Sequence, residues 1–402
     1  MKTIFSPLLP ILLSSGWMAC AVTPQDVHRD AIVIDTHSDT TPRFEGDDWD
    51  FSERHPRSDS HMDLPRIREG GLDVQFWSIY TGKAEAPGEA MRVALRRIDA
   101  VHRLVERHPN EIGLATTPDE IRDLVAQGKL ASLMGVEGGH MIEGDLAVLR
   151  TYYRLGVRYM TLTHSFHTTW ADSSGTSTIP EPLHGGLTSF GEKVVREMNR
   201  LGMMVDVSHV SDETFFETLR VSRSPVIASH SSCRAIADHT RNMSDEMLRA
   251  LAKNGGVIMI NFYPAYIDEI ANRETKAYFE TWKATFDRMR EEHSDDPAAH
   301  YAARRAHLSE HPVPQTSLDV LLDHFEHAIR VAGANHVGIG ADWDGVASMP
   351  RGMDDVSALP GLTEGLLARG LSVETVQKVL GENLLRVMGE VEAIAREARA
   401  EY

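Results

Sequence analysis

The sequence predicts an α/β protein, a closed (β/α)8 TIM barrel with a helical insertion after its seventh strand. Three observations lead there. Short apolar or β-rich runs recur eight times along the chain, amphipathic helical stretches separate most of them, and ionisable side chains collect at the same end of the runs. Strands separated by helices pair in parallel through right-handed crossovers. Eight such units suit a closed barrel; an open doubly wound sheet is the alternative architecture.

In chain order the runs cover 32–36, 72–80, 131–136, 158–163, 203–207, 225–229, 256–262 and 336–341. Between them, "AMRVALRRIDAVHRLVERH" sets Val93, Ile98, Val101, Leu104 and Val105 at helical spacing. "GEKVVREMNRLG" runs from residue 191 to Gly202, a natural helix C-cap. "SDEMLRALAKNGG" begins at Ser244, with Asp245 and Glu246 in its first turn, and "SLDVLLDHFEHAIRVAG" and "SVETVQKVLGENLLRVMG" follow the same plan. Residues 263–315 break the rhythm. They are polar, charged and helix-prone, and they follow the seventh run. In a barrel that places them on the catalytic rim, as a lid, a partner surface or a solvated excursion.

At 402 residues, 42% apolar and 25% charged, the chain can bury a sizeable core, and residues 22–402 read as a single domain. The formal net charge of −18 argues against nucleic acid or anionic lipid as the main partner, because phosphate binding needs a basic face. Residues 1–21 read as a secretory signal. Lys2 precedes an apolar stretch too short to span a bilayer, and Ala19 and Ala21 make an A-x-A site. An alternative attaches lipid at Cys20 after cleavage at Ala19. Either way the protein is expected to be exported, periplasmic or secreted, with membrane attachment in the lipoprotein case. Two cysteines, Cys20 and Cys233, make no disulfide framework, and Cys233 is expected to be a small buried hydrophobe.

Active-site residues of a barrel gather at the C-terminal ends of its strands. The first run leads into His37 and Asp39, the third into Glu137, the fourth into His164, the fifth into His209, the sixth into His230 and the eighth into Asp342. Each of these residues alone has an ordinary structural explanation, a hydrogen-bonded core histidine or a buried acid paired with arginine. The set does not. His37 and Asp39, two apart, share a face of extended chain. Three histidines with two carboxylates exceed one closed metal site and match two cations sharing a bridging carboxylate, with zinc favoured by the mixture of imidazole and carboxylate. Glu137 is the expected bridge, because "GG" behind it admits close approach. Such a centre supplies a hydroxide nucleophile and polarises a carbonyl. Asp342 is left as the proton shuttle, in preference to Asp344 of the same "DWDG" turn. Asp35 is read as a supporting partner of His37.

These motifs resemble the membrane dipeptidase (renal dipeptidase) family of zinc peptidases, peptidase family M19, within the amidohydrolase-like barrels. The resemblance runs from about residue 26 to 390, outside the 263–315 insertion. It is carried by "VIDTHSD", "GVEGGH", "RYMTLTHS", "TTWADSS", "HGGLTSFGEKVVREMNRLGMMVDVSHVSD", "VIASHSSCRAIADHTRNMSDE", "HVGIGADWDGV" and "VLGENLLRVM" in order. It implies that His37 and Asp39 bind one zinc, His209 and His230 the other, and Glu137 both. It implies that His164 contacts the substrate carbonyl oxygen and that Arg241, in "HTRNMSD", holds the terminal carboxylate. Asp342 would handle the amine and the proton. The residues alone do not single out Arg241, although guanidinium grips carboxylate through two parallel hydrogen bonds. The resemblance also implies a homodimer, frequent tolerance of a D-residue at the carboxyl end and, in some members, β-lactam opening. Ser189 and Trp343 depart from the family's common proline and phenylalanine.

The expectation is therefore a binuclear zinc dipeptidase acting by metal-hydroxide attack. A second reading keeps barrel and metals but changes the substrate, to an N-acyl-amino acid or a β-lactam. A third, a non-catalytic binding protein on the same fold, is disfavoured by the complete ligand set.

Overall fold

The computed structural model describes residues 22–400 apart from 47–48, 84–85, 177–179 and 295–296. The expected leader and Cys20 lie outside the described residues.

Among the described residues nine parallel strands form the sheet: β1 Ile34–Ser38, β2 Val74–Tyr80, β3 Ile112–Leu114, β4 Leu130–Glu137, β5 Val157–Thr161, β6 Met204–Asp206, β7 Ile227–Ser231, β8 Val257–Ile260 and β9 Val337–Ile339. Eight of them close the barrel. β1 pairs with β2 on one side and with β9 on the other, and β2 pairs directly with β4. The alternative open sheet is thereby excluded. The ninth, β3, falls outside the eight sequence runs. Its three residues pair with Leu130–Ser132 of β4, while β5 takes Met134–Glu137. So short a strand, lying between two helices, has too few residues to show an alternating pattern.

Helices cover the outside where the sequence places them. Glu89–Arg107 buries Ala94, Ile98, Val101 and Leu104 along one face. Ser189–Leu201 ends at Gly202 in the left-handed conformation, φ 85°. Asp245–Lys253 is capped by Ser244, whose hydroxyl accepts from the Met247 amide. The interior of the barrel is filled by Ile34, Val74, Phe76, Ala131, Leu133, Tyr159, Met204, Ile227, Val257 and Met259. Leu384, Leu385 and Met388 of the C-terminal helix Asn383–Ala400 join this cluster. Each such large apolar side chain contributes about 1.5–3 kcal/mol by leaving water. The strands are thus held rigidly from the inside, and their C-terminal ends are left free to carry polar groups.

After β8, the seventh strand of the barrel, the chain makes a short turn of helix, Pro264–Ile267, and two long helices, Glu269–Glu292 and Pro297–Glu310. Among the described residues no helix is long and apolar enough to cross a membrane. Cys233 is fully buried, and its thiol donates to the His324 carbonyl at 3.4 Å.

Candidate metal centre and substrate pocket

Two strands abandon simple alternation at the site. In β1, Ile34 joins the interior core, and three residues later His37 also faces inward. A register shift between Asp35 and Ser38 makes this geometry possible. In β7 the same relation links Ile227 to His230, across a shift between Ala228 and Ser231. Each irregularity re-aims one imidazole. β4 needs none. Ala131 and Leu133 point into the barrel, and continued alternation brings Glu137 inward at the strand's last residue.

Glu137 sits at the centre of the cluster. Its Oε1 lies 3.0 Å from His209 Nε2, 3.4 Å from His230 Nε2 and 3.5 Å from His164 Nε2. Its Oε2 lies 3.4 Å from His37 Nε2 and accepts from Ser78 Oγ at 3.0 Å. Asp39 Oδ1 is 3.5 Å from His37 Nε2. Among the described residues the potential ligand atoms fall into three overlapping trios, with every atom within 4.8 Å of the others in its trio: His37, Glu137 and His230; Glu137, His164 and His209; His37, Asp39 and Asp342.

Hydrogen bonding decides which ring nitrogen is free. Tyr159 Oη donates to the Thr36 carbonyl at 3.0 Å, so the His37 Nδ1–H is the donor in its 3.0 Å contact with that hydroxyl. Ser229 Oγ donates to Asp206 Oδ2 at 2.6 Å, so the His230 Nδ1–H donates to Ser229 Oγ at 2.8 Å. With Nδ1–H engaged, each ring turns Nε2 inward: His37 Nε2 meets Glu137 and Asp39, which draw positive charge onto it, and His230 Nε2 lies 2.9 Å from His209 Nε2. Among the described residues, His37 Nε2 and Asp39 Oδ1 are buried without a hydrogen-bond partner. Burial opposes a charge on His37, yet Tyr159, Glu137 and Asp39 beside it pull its pKa well above the ordinary value. Burial alone would raise the Glu137 pKa, but the imidazoles of His37, His164, His209 and His230 hold it well below the usual carboxylate range. Burial and Arg241 push His209 down, and burial and His37 push His230 down, which keeps both rings neutral. Neutral His209 and His230, with a His37 that the neighbouring carboxylates hold ready for positive charge, surround an ionised Glu137; this is the donor set of a divalent cation site, and the residues fit the metal that the resemblance implies.

Asp342 lies beside this centre. Asn261 Nδ2 donates to its Oδ2 at 2.9 Å, and burial pushes its pKa up to about 7. Asp344, the competitor, is engaged elsewhere. It accepts from the His61 amide at 2.7 Å, Ser60 Oγ at 2.5 Å and Thr40 Oγ1 at 2.8 Å, and Arg43 lies 3.7 Å away. His209, Asp342 and Asp344 all adopt positive φ, 67°, 67° and 64°, which side chains other than glycine rarely take. Two glycines are required here. A Cβ on Gly138, itself at φ 114°, would meet the His140 ring at 2.6 Å. A Cβ on Gly345 would lie 2.2 Å from Asp342 Oδ1 and 2.7 Å from Asp39 Oδ2. Asp35 does not support the His37 ring as expected. Its Oδ1 accepts from the Ala341 amide at 2.7 Å and ties β1 to β9, while the ring's partner is Tyr159.

A pocket of about 410 Å3 opens over the centre, lined by Asp39, Glu137, His164, His209, His230 and Asp342, with Arg241, Tyr263 and Tyr266. Arg241 is 3% exposed. Its Nη2 donates to the His230 carbonyl at 3.1 Å, but its Nε and Nη1 have no hydrogen-bond partner among the described residues. Two unanswered guanidinium donors facing a cavity suit a carboxylate. The residues alone missed Tyr159, Asp206, Ser229, Ser78 and Asn261. Only Asp206, an acid inside a buried-looking run, carried any signal.

The description of the membrane dipeptidase family, peptidase family M19, matches residues 23–402. The chain is 37% identical over 382 residues to dipeptidase verJ of Clonostachys rogersoniana, covering 91% of this chain and 86% of that protein. It is 37% identical over 350 residues to dipeptidase aclJ of Aspergillus oryzae, covering 85% and 72%. The crystal structure of the probable dipeptidase PvdM of Pseudomonas aeruginosa superposes with a TM-score of 0.78 at 26% identity, covering 92% of this chain and 98% of that one. The closed parallel barrel, the clustered metal-binding side chains and these likenesses agree: the chain belongs to the membrane dipeptidase family of metallopeptidases.

Proposed function

We propose that the protein is a binuclear zinc dipeptidase. The observation that carries the reading is the division of Glu137, one oxygen toward His37 and the other toward His209 and His230. His37 and Asp39 would hold one ion, His209 and His230 the second, and Glu137 both. Bound there, divalent zinc supplies Lewis acidity and acidifies a water.

The side chains account for the rest. Arg241 receives the terminal carboxylate on Nε and Nη1. Asp342, oriented by Asn261, faces the substrate's free amine and carries the proton lost by the attacking water to the scissile amide nitrogen, which leaves as the amine of the carboxyl-terminal residue. His164, half-exposed at the pocket, donates to the carbonyl oxygen as negative charge develops there. With one charge-reading group for each end, the pocket favours substrates two residues long. An N-acyl-amino acid or a β-lactam would satisfy Arg241 but offers no free amine to Asp342.

Elemental analysis for metal, with assays of L,L and L,D dipeptides with and without chelator, tests the assignment. Two zinc ions per chain and chelator-sensitive hydrolysis are expected, and failure of the metal-replete protein to cleave any dipeptide refutes it. Export after loss of residues 1–21, or lipid attachment at Cys20, is part of the same proposal, supported by the A-x-A pattern and checked by N-terminal sequencing of secreted protein. A homodimer, supported by the resemblance, is checked by sedimentation.

A further inference from the structure

The pocket continues past Asp342. Tyr301 and Arg304 of the helix Pro297–Glu310, with Asp344–Ala347 after β9, line both the pocket and a second cavity of about 340 Å3. Neither Arg241 nor any imidazole of the centre borders that second cavity. Gly345, in the shared wall, packs directly against Asp342 Oδ1. The extra space therefore opens at the end assigned to the substrate amine.

Among the described residues four arginines border the second cavity, and three of them are answered. Arg43 has Asp344 at 3.7 Å and donates to Tyr301 Oη at 3.1 Å. Arg57 donates to Asp355 Oδ2 at 2.5 Å. Arg305 has Asp59 Oδ1 at 3.3 Å and donates to the Asp59 carbonyl at 2.7 Å. Arg304 is half-buried, and among the described residues it has neither a carboxylate nor a hydrogen-bond acceptor. Its guanidinium only lies over the Phe286 ring, 6.0 Å from the centroid. A cation partly removed from water beside a substrate cavity, with its neighbours' charges already balanced, selects an anion.

We infer that Arg304 reads a negatively charged side chain on the amino-terminal residue of the substrate, and that the second cavity gives a long acidic side chain room. The inference rests on the dipeptidase reading and on the orientation that Arg241 and Asp342 impose.

The test compares kcat/KM for Glu-Gly with its isostere Gln-Gly in each protein, so that a general loss of activity cancels in the ratio. Gly-Glu against Gly-Gln reports the other end, and Ala-Gly reports plain dipeptidase activity. In the unaltered enzyme the Glu-Gly to Gln-Gly ratio is expected to be about tenfold, falling as salt rises. Arg304→Ala should bring it to about one, Arg304→Lys should keep part of it, and Arg304→Glu should turn the preference toward Lys-Gly. Hydrolysis of Ala-Gly with a ratio near one in the unaltered enzyme overturns the inference alone. So does a preference for Gly-Glu over Gly-Gln lost in Arg304→Ala. No hydrolysis of any of these peptides overturns the dipeptidase reading as well.

Discussion

Asp206 lines neither the substrate pocket nor the second cavity, yet replacing it with asparagine should disable the metal centre. The carboxylate is fully buried and accepts four hydrogen bonds. Oδ1 takes the amides of Ser208 at 3.0 Å and Ser229 at 2.8 Å, and Oδ2 takes Thr161 Oγ1 at 2.5 Å and Ser229 Oγ at 2.6 Å. In Asp206→Asn the amide oxygen can keep the two backbone donors, but an NH2 group then faces the two hydroxyls. Ser229 must accept where it now donates. Its own hydrogen then turns toward His230 Nδ1, 2.8 Å away, and the ring proton moves to Nε2. That nitrogen faces Glu137 Oε1 at 3.4 Å, so the lone pair intended for metal is lost.

Two effects follow and can be measured apart. Hydrogen bonds to a buried charge contribute about 1.5–3 kcal/mol each, and the amide recovers part of the two it displaces, so the metal-free protein should lose about 2–4 kcal/mol in urea unfolding. Metal affinity, from competition with a chromogenic chelator, should fall about 10–100-fold, as expected when the group that orients a ligand is removed. Ser229→Ala separates the causes, because it deletes the relay without reversing it and should cost less affinity than Asp206→Asn. An Asp206→Asn variant that binds metal within about threefold of the unaltered protein would show that this chain of hydrogen bonds does not set the tautomer of His230.

Arg241→Ala should raise KM for free-carboxylate dipeptides about 10–100-fold in steady-state assays, the equivalent of one or two charge-assisted hydrogen bonds, and a lysine there should restore little because it lacks the planar fork. Asp342→Asn should lower kcat by about 10²-fold or more while a non-hydrolysable dipeptide analogue still binds in calorimetry. His324 predicts acid sensitivity of the metal-free protein. Burial pushes its pKa down to about 4 from 6.5, against the raising effect of its bond to the Ile267 carbonyl at 2.8 Å, and its Nδ1 accepts the Cys233 amide at 3.0 Å. The unfolded chain binds the proton more readily, so this contribution is fully present above pH 6.5 and is lost as pH falls toward 4, up to roughly 3 kcal/mol. Urea titrations of the unaltered protein and His324→Gln at pH 7 and pH 4.5 should therefore converge at the lower pH.

The barrel was legible because its strands are buried on both sides and read as short apolar runs, and because crossovers between parallel strands must be long enough to hold a helix. The ionisable strand ends were legible for a related reason, since a polar residue closing an apolar run is conspicuous. Orientation was not. Tyr159 supplies both a core ring and the hydroxyl that fixes His37, and a buried tyrosine in a strand looks like packing alone. Ser229, Ser78 and Asn261 are small polar residues whose partners lie up to 81 positions away in sequence. Arg241 stands in a loop and gains meaning only once its unanswered donors are seen to face the pocket.

The register shifts explain why sequence spacing and site geometry part company. Period-two alternation from Ile34 would turn His37 away from the interior, and alternation from Ile227 would do the same to His230. An extra residue in each strand reverses both. The chain thus keeps an apolar plug at the N-terminal ends of β1 and β7 and a polar cluster at their C-terminal ends, with the change of phase between the two. Thr36 sits inside the first irregularity, and its hydroxyl spans the carbonyls of Ser229 at 2.6 Å and Ile339 at 3.0 Å, tying β1 to β7 and β9 where the ladder is broken. Valine at position 36 would preserve shape and β-propensity but leave those carbonyls short of a donor. The barrel should survive that change while the spacing of His37 and His230, now stacked at 3.8 Å between ring centroids, loosens. Position 36 therefore acts on the site through strand registration, without any contact to metal or substrate.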